Sequence, residues 1–221
     1  MEEQSALMLE KMLFTSSKPD ENVHRCVVAI DDTHAASFRH GQHSRLQMNE
    51  TVMLYNVLNP VIRYESTVAA VSESYDIIVF KLKKDKFESF PRGVGRLFRG
   101  REYLQLGVDS RREPNWKHGI ISHEKRGFYV GTSHGQVGDS GSGIFDSSGL
   151  FLGISVGKKC FSFCDWKNMP VGEIADHHPD TQIISSEVIF AFSGIIDDEV
   201  IRAKQGKCAC LHGQAISTDF F

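Results

Sequence analysis

Ser140 stands in the run Gly138-Asp139-Ser140-Gly141-Ser142-Gly143, with the apolar pair Ile144-Phe145 directly after it. Glycines on both sides let the backbone turn tightly, so that successive N–H groups can converge on one small concavity. A serine held on such a turn can attack a carbonyl carbon while those N–H groups stabilise the oxyanion that forms. Serine is a weak nucleophile until a base takes its proton, so the chemistry also requires an imidazole and an acid to orient it. Upstream, Asp76 sits at the mouth of the β-branched segment Ile77-Ile78-Val79-Phe80-Lys81-Leu82, and His34, His40 and His43 cluster within Thr33–Ser44. Each feature also has a plainer reading: a glycine-rich turn, an aspartate ending a turn, and polar loop histidines.

Gly-Asp-Ser-Gly at 138–141 resembles the nucleophile segment of the chymotrypsin-like serine proteases, and the form Gly-Asp-Ser-Gly-Ser resembles compact viral members of that superfamily. Tyr75-Asp76-Ile77-Ile78 is similar to the segment that carries the triad acid there. The order His, Asp, Ser also matches the chymotrypsin arrangement, and not those of subtilisin or the α/β-hydrolases. The resemblance implies Ser140 as nucleophile, Asp76 as the orienting acid and the N–H groups of Gly138 and Ser140 as the oxyanion hole. It favours His43 as the base, because Thr51–Tyr55 reads as the strand that should follow. His40 is the alternative and His34 fits poorly; none has the Ala-Ala-His-Cys context of digestive enzymes. By the same resemblance, His134 belongs at the primary specificity pocket, with Glu187 approaching it from the last strand. Ser155, Val156 and Gly157 belong to the segment that binds substrate backbone as an added strand, Val156 replacing the usual aromatic residue. No Arg-Ile-Val-Gly-Gly-like start is present, so Asp139 is expected to find an internal donor without zymogen cleavage. Neither a metal nor an organic cofactor is needed, and the implied partner is a polypeptide substrate.

The elements expected to hold these residues are short strands separated by glycine and polar turns, an all-β pattern. The resemblance implies two packed six-stranded Greek-key β-barrels, with a short N-terminal helix and a C-terminal helix. Residues 1–22 read as a helical extension, with a helix over Ser5–Phe14. Residues 23–205 read as the peptidase domain. Within it, the first barrel takes about 23–85, drawing on Val27–Ile30, Thr51–Tyr55, Ile62–Val71 and Ile77–Leu82. A linker follows over about 86–100. The second barrel takes about 101–193, drawing on Tyr103–Val108, Gly119–Ser122, Phe128–Thr132, Gly143–Phe145, Phe151–Val156 and Ile183–Phe192. Ser193 is expected to cap a helix over 194–205, with 206–221 a flexible tail.

The chain has 221 residues and 41% hydrophobic content, enough to bury a substantial core. Its net charge of −3 argues against broad nucleic-acid or anionic-membrane binding. No apolar run approaches the roughly 20 residues of a membrane span. The acidic start Met1-Glu2-Glu3-Gln4 lacks the plan of a secretion signal, and five cysteines cannot all pair within one chain. Both suggest a cytoplasmic location, with the nucleus open. Cys160, Cys164, Cys208, Cys210 and His212 have a spacing that could hold zinc, although one pair falls in the expected tail. Two other classes of function compete with proteolysis: an inactive homologue that binds peptides through the same groove, and an unrelated all-β interaction domain. A phosphate-binding loop is disfavoured, because Gly138–Gly143 lacks the Lys-Ser/Thr ending and leads into a strand.

Overall fold

The computed structural model describes residues 3–21, 23–125, 127–135, 138–156 and 180–194. Its strands are β1 (Leu13–Thr15), β2 (Cys26–Ala29), β3 (His34–Phe38), β4 (Thr51–Asn56), β5 (Arg63–Ser72) and β6 (Ile77–Leu82), followed by β7 (Glu102–Val108), β8 (Pro114–Lys125), β9 (Phe128–Gly131), β10 (Gly143–Phe145), β11 (Phe151–Val156) and β12 (Thr181–Ser185). They close into two antiparallel barrels, ordered β1-β2-β3-β6-β5-β4 and β10-β11-β12-β9-β8-β7. Closure leaves no open sheet edge within either barrel.

The period-2 pattern is clear in β5, where buried Ser66, Val68, Ala70 and Ser72 alternate with more exposed residues. β6 reads as a nearly continuous apolar run, Ile77-Ile78-Val79-Phe80, and is buried throughout that run. The apolar cluster of the first barrel continues through Leu106, Val108, Phe145, Phe151 and Ile154 of the second, so the two barrels share one core. A smaller cluster of Leu97, Tyr103, Ile121, Ile144, Leu152 and Ile183 fills the second barrel.

Three elements differ from the sequence expectation. The first barrel begins at β1, inside the segment read as an extension: Phe14 pairs with Val27 on one side and Asn56 on the other, closing the barrel. The helix before it is correspondingly shorter, α1 (Glu3–Glu10). β3 is a strand that the sequence reading passed over. Of the expected last strand, Ile183–Phe192, only the start is strand, in β12, and the rest is helix α2 (Ser186–Ser193). Ser185 caps α2, its hydroxyl accepting from Val188 N–H, Glu187 lies in its positive first turn, and Gly194 ends it at φ +68°. Ile189 and Phe190 bury one face of α2 against the core, Phe190 meeting Phe151 edge-on at 6.4 Å. The helix expected over 194–205 and the tail fall almost entirely outside the described residues.

Candidate active site

Strand register brings an acid and a histidine together. β3 and β6 pair antiparallel with Phe38 opposite Ile77. The residues just past the end of β3 therefore meet those just before the start of β6. Asp76 Oδ2 accepts from His40 Nδ1 at 2.6 Å, while Oδ1 accepts the backbone N–H groups of His40 at 2.7 Å and Arg39 at 3.1 Å. Asp76 has φ +55°, a conformation that aspartate tolerates better than most residues. Since a carboxylate can only accept here, Nδ1 carries the proton, and Nε2 of the neutral ring is left as the basic nitrogen. The His40 side chain is 46% exposed and its ring packs on Phe38 at 4.5 Å.

His43, favoured as the base on sequence, has a different situation. It follows on a 3₁₀ turn, Gly41–Arg45, that folds back under the end of β3. The nearly buried Arg39 holds that turn by donating to the carbonyls of His43 and Leu46 and pairing with Glu73. His43 is 1% exposed. Its Nδ1 donates to the Phe38 carbonyl at 2.7 Å, so its Nε2 accepts from the Ser16 hydroxyl, also at 2.7 Å. Burial pushes this imidazole down to about 4, with the Phe38 carbonyl pulling only partly the other way. His43 is thus a neutral histidine of fixed tautomer, with both nitrogens engaged and no hydrogen bond to Asp76 among the described residues. His34, on the other side, pairs with Asp31 at 2.9 Å.

Ser140 occupies a tight turn. Ser142 N–H donates to the Asp139 carbonyl at 3.0 Å, which places Ser140 and Gly141 at the two central positions. Gly141 has φ +87°, as a type II turn requires at its second central residue. A Cβ on Gly141 would collide with the Cys26 carbonyl and lie 3.0 Å from the Phe38 ring. The turn therefore packs directly on β2 and on the aromatic ring that also carries His40. Among the described residues, the N–H groups of Gly138 and Ser140 donate to no other group, and no hydrogen bond yet joins Ser140 to His40.

The remaining expected residues are distributed as follows. Asp139 is buried and pairs with Lys117 of β8 at 2.5 Å, an internal donor of the kind expected. His134 is exposed, and its carbonyl accepts from Lys117 at 2.9 Å. Ser155 N–H donates to Ser142 and its carbonyl accepts from Gly141, so this part of β11 ties the Ser140 turn to the barrel. Ser155 and Val156 pair with Ile183 and Gln182 of β12 on one side. Gly157 lies outside the described residues, as do Cys160, Cys164, Cys208, Cys210 and His212. Glu187 pairs with Arg96 at 2.9 Å from the start of α2, a position that follows from the helix replacing the expected strand. Among the described residues, no group of His, Cys, Asp and Glu is arranged to hold a metal ion, and no helix is long and apolar enough to cross a membrane. Sequence reasoning missed Lys117 and Ser16, which carry no motif and become visible only through strand register.

No protein-family model and no curated protein matches the sequence. Solved structures match in shape. The MamO protease domain from Magnetospirillum magneticum superposes with a TM-score of 0.62 at 11% identity, over 83% of this chain and 96% of that one. The active form of the Rv3671c protease from M. tuberculosis gives 0.62 at 14% identity, over 87% and 85%. The serine endoprotease from Yersinia pestis gives 0.62 at 14% identity, over 85% of this chain and 63% of that one. With its two closed six-stranded barrels, this chain has the fold of the chymotrypsin-like serine proteases.

Proposed function

We propose that the protein is a serine endopeptidase in which Ser140, His40 and Asp76 form the catalytic triad. The observation that carries this reading is the His40–Asp76 pair, with its carboxylate held by two backbone N–H groups and its proton on Nδ1. In this reading Ser140 Oγ attacks the carbonyl carbon of a peptide bond as His40 Nε2 takes its proton. The tetrahedral oxyanion is held by the N–H groups of Gly138 and Ser140, at about 3 kcal/mol per donor in comparable sites. His40 then gives the proton to the leaving amine, the acyl-enzyme forms, and water activated by the same imidazole releases it. Asp76 stays ionised, fixing the tautomer and stabilising the imidazolium. The substrate is a polypeptide, and the chemistry calls on no metal or organic cofactor.

The lack of a hydrogen bond between Ser140 and His40 favours a second reading, a catalytically silent homologue that binds peptides in the same groove. Apo sites often close this bond only when substrate arrives. Incubating the protein with an unfolded polypeptide such as casein, and reading new termini by mass spectrometry, separates the two. The endopeptidase reading predicts cleavage by the wild type and none by Ser140→Ala. Binding of casein without new termini in either protein would support the silent homologue.

A further inference from the structure

His43 takes no part in the proposed chemistry, yet its hydrogen bonds lead to the residues that do. Its Nδ1 donates to the Phe38 carbonyl and its Nε2 accepts from the Ser16 hydroxyl, each at 2.7 Å. The buried ring thereby joins the segment after β1 to the last residue of β3. Its main chain is tied in as well, the His43 carbonyl accepting from Arg39, whose own N–H donates to Asp76. Phe38 is the common neighbour. Its ring centroid lies 4.9 Å from that of His43 and 4.5 Å from that of His40. A Cβ on Gly141 would come within 3.0 Å of the same ring. One aromatic ring of the first barrel therefore lies against both the His40 imidazole and the Ser140 turn of the second. The Asp76 carboxylate holds His40 at Nδ1, which leaves the imidazole able to rock about that bond. Packing on Phe38 limits the rocking, provided that Phe38 itself is fixed. A neutral side chain with a donor and an acceptor on opposite atoms is needed to bind the Phe38 carbonyl and the Ser16 hydroxyl together. From this geometry we infer that His43 is a positioning residue: braced by Ser16, it pins Phe38, the platform that sets His40 against the Ser140 turn. The inference rests on the serine-hydrolase reading of Ser140 and His40 and adds a residue that acts through another.

The test compares wild type with His43→Gln, His43→Leu, Ser16→Ala, Phe38→Leu and the double variant Phe38→Leu/His43→Leu. Three readouts are taken: the rate of covalent labelling by a fluorophosphonate probe, the proton NMR signal of His40 Nδ1–H, and the thermal midpoint. The NMR signal is identified by its loss in His40→Ala. His43→Leu is expected to slow labelling by about 100-fold, the cost of a slightly misplaced catalytic group, and to shift or broaden the His40 signal. His43→Gln, whose carboxamide supplies both a donor and an acceptor, should label at close to the wild-type rate. Ser16→Ala leaves the core intact and should slow labelling about fivefold, as the loss of one ordinary hydrogen bond would. Phe38→Leu should slow labelling about as much as His43→Leu does. Adding His43→Leu to it should cost little more, because the two act through one ring. A folded His43→Leu that labels at the wild-type rate would overturn the inference, as would slowings that multiply in the double variant. If His43→Leu does not fold, wild-type labelling in both Ser16→Ala and Phe38→Leu would overturn it. Wild type that never labels would refute the serine-hydrolase reading instead. The His40 signal would still decide the role of His43, and a signal unchanged in His43→Leu, or in both Ser16→Ala and Phe38→Leu, would overturn it.

Discussion

Lowering the pH should destabilise this protein through His43 in a range where most carboxylates are still ionised. The folded chain holds that imidazole neutral, with burial pushing it from 6.5 to about 4. In the unfolded chain it protonates near 6.5, so between those values the unfolded state binds more protons. Stability therefore rises with pH through this range and is lost as pH falls toward the folded value. Between pH 7 and pH 4.5 the linkage amounts to about 2.5 kcal/mol. With a urea m-value of about 2 kcal/mol/M, the midpoint should fall by about 1 M. Burial also lowers His24, which acts in the same direction but is common to any His43 variant. Asp31 and Asp146 are held below their ordinary values, hydrogen bonds outweighing the cost of burial, and they matter only at still lower pH. The assay is urea unfolding of wild type and His43→Gln at pH 7, 5.5 and 4.5. The variant should be less stable at pH 7 but lack about 2.5 kcal/mol of the pH dependence. Parallel curves for the two proteins would refute the reasoning and return His43 to the list of titrating bases.

Asp76→Asn should slow hydrolysis by about 10⁴-fold with little change in KM, because the amide stabilises the wrong tautomer of His40; steady-state kinetics on a cleaved peptide would check this. Gly141→Ala should destabilise the fold by about 1–3 kcal/mol, since Gly141 is at φ +87° and faces the Cys26 carbonyl, and the change is readable by urea unfolding. Burial, with a smaller contribution from Asp139, raises the Cys26 thiol far above its ordinary value. Native protein should therefore leave Cys26 unalkylated by iodoacetamide at pH 8, and peptide mapping would reveal any reaction there.

The two-barrel fold was legible because β4, β6, β7, β10 and β11 are compact apolar or alternating runs between turn residues. The tight turn at Ser140 was legible because glycines flank it and an apolar strand follows, and Gly141 does take φ +87° there. The proposed base was harder to read, and β3 explains why. His34-Ala35-Ala36-Ser37-Phe38 is built of small residues with little β-propensity, and it becomes a strand because β2 and β6 flank it. Without β3, nothing in the sequence marks His40 as the residue that follows a strand end opposite Asp76. Thr51–Tyr55 then draws attention to His43 instead. β1 is a three-residue strand stabilised by both neighbours, with no periodicity of its own to reveal it. α2 was misread for a different reason. Val188-Ile189-Phe190-Ala191-Phe192 is too short and too apolar for periodicity to separate a helix from a strand, and the capping Ser185 was the better signal.

The central claim is that His40, and not His43, activates Ser140. Its most direct measurement is fluorophosphonate labelling of purified wild type, Ser140→Ala, His40→Ala and His43→Gln at pH 7.5, with folding of each checked by its thermal midpoint. Labelling is predicted in wild type and His43→Gln and should disappear in Ser140→Ala and His40→Ala. Undiminished labelling of His40→Ala, or its loss in a well-folded His43→Gln, would contradict the assignment.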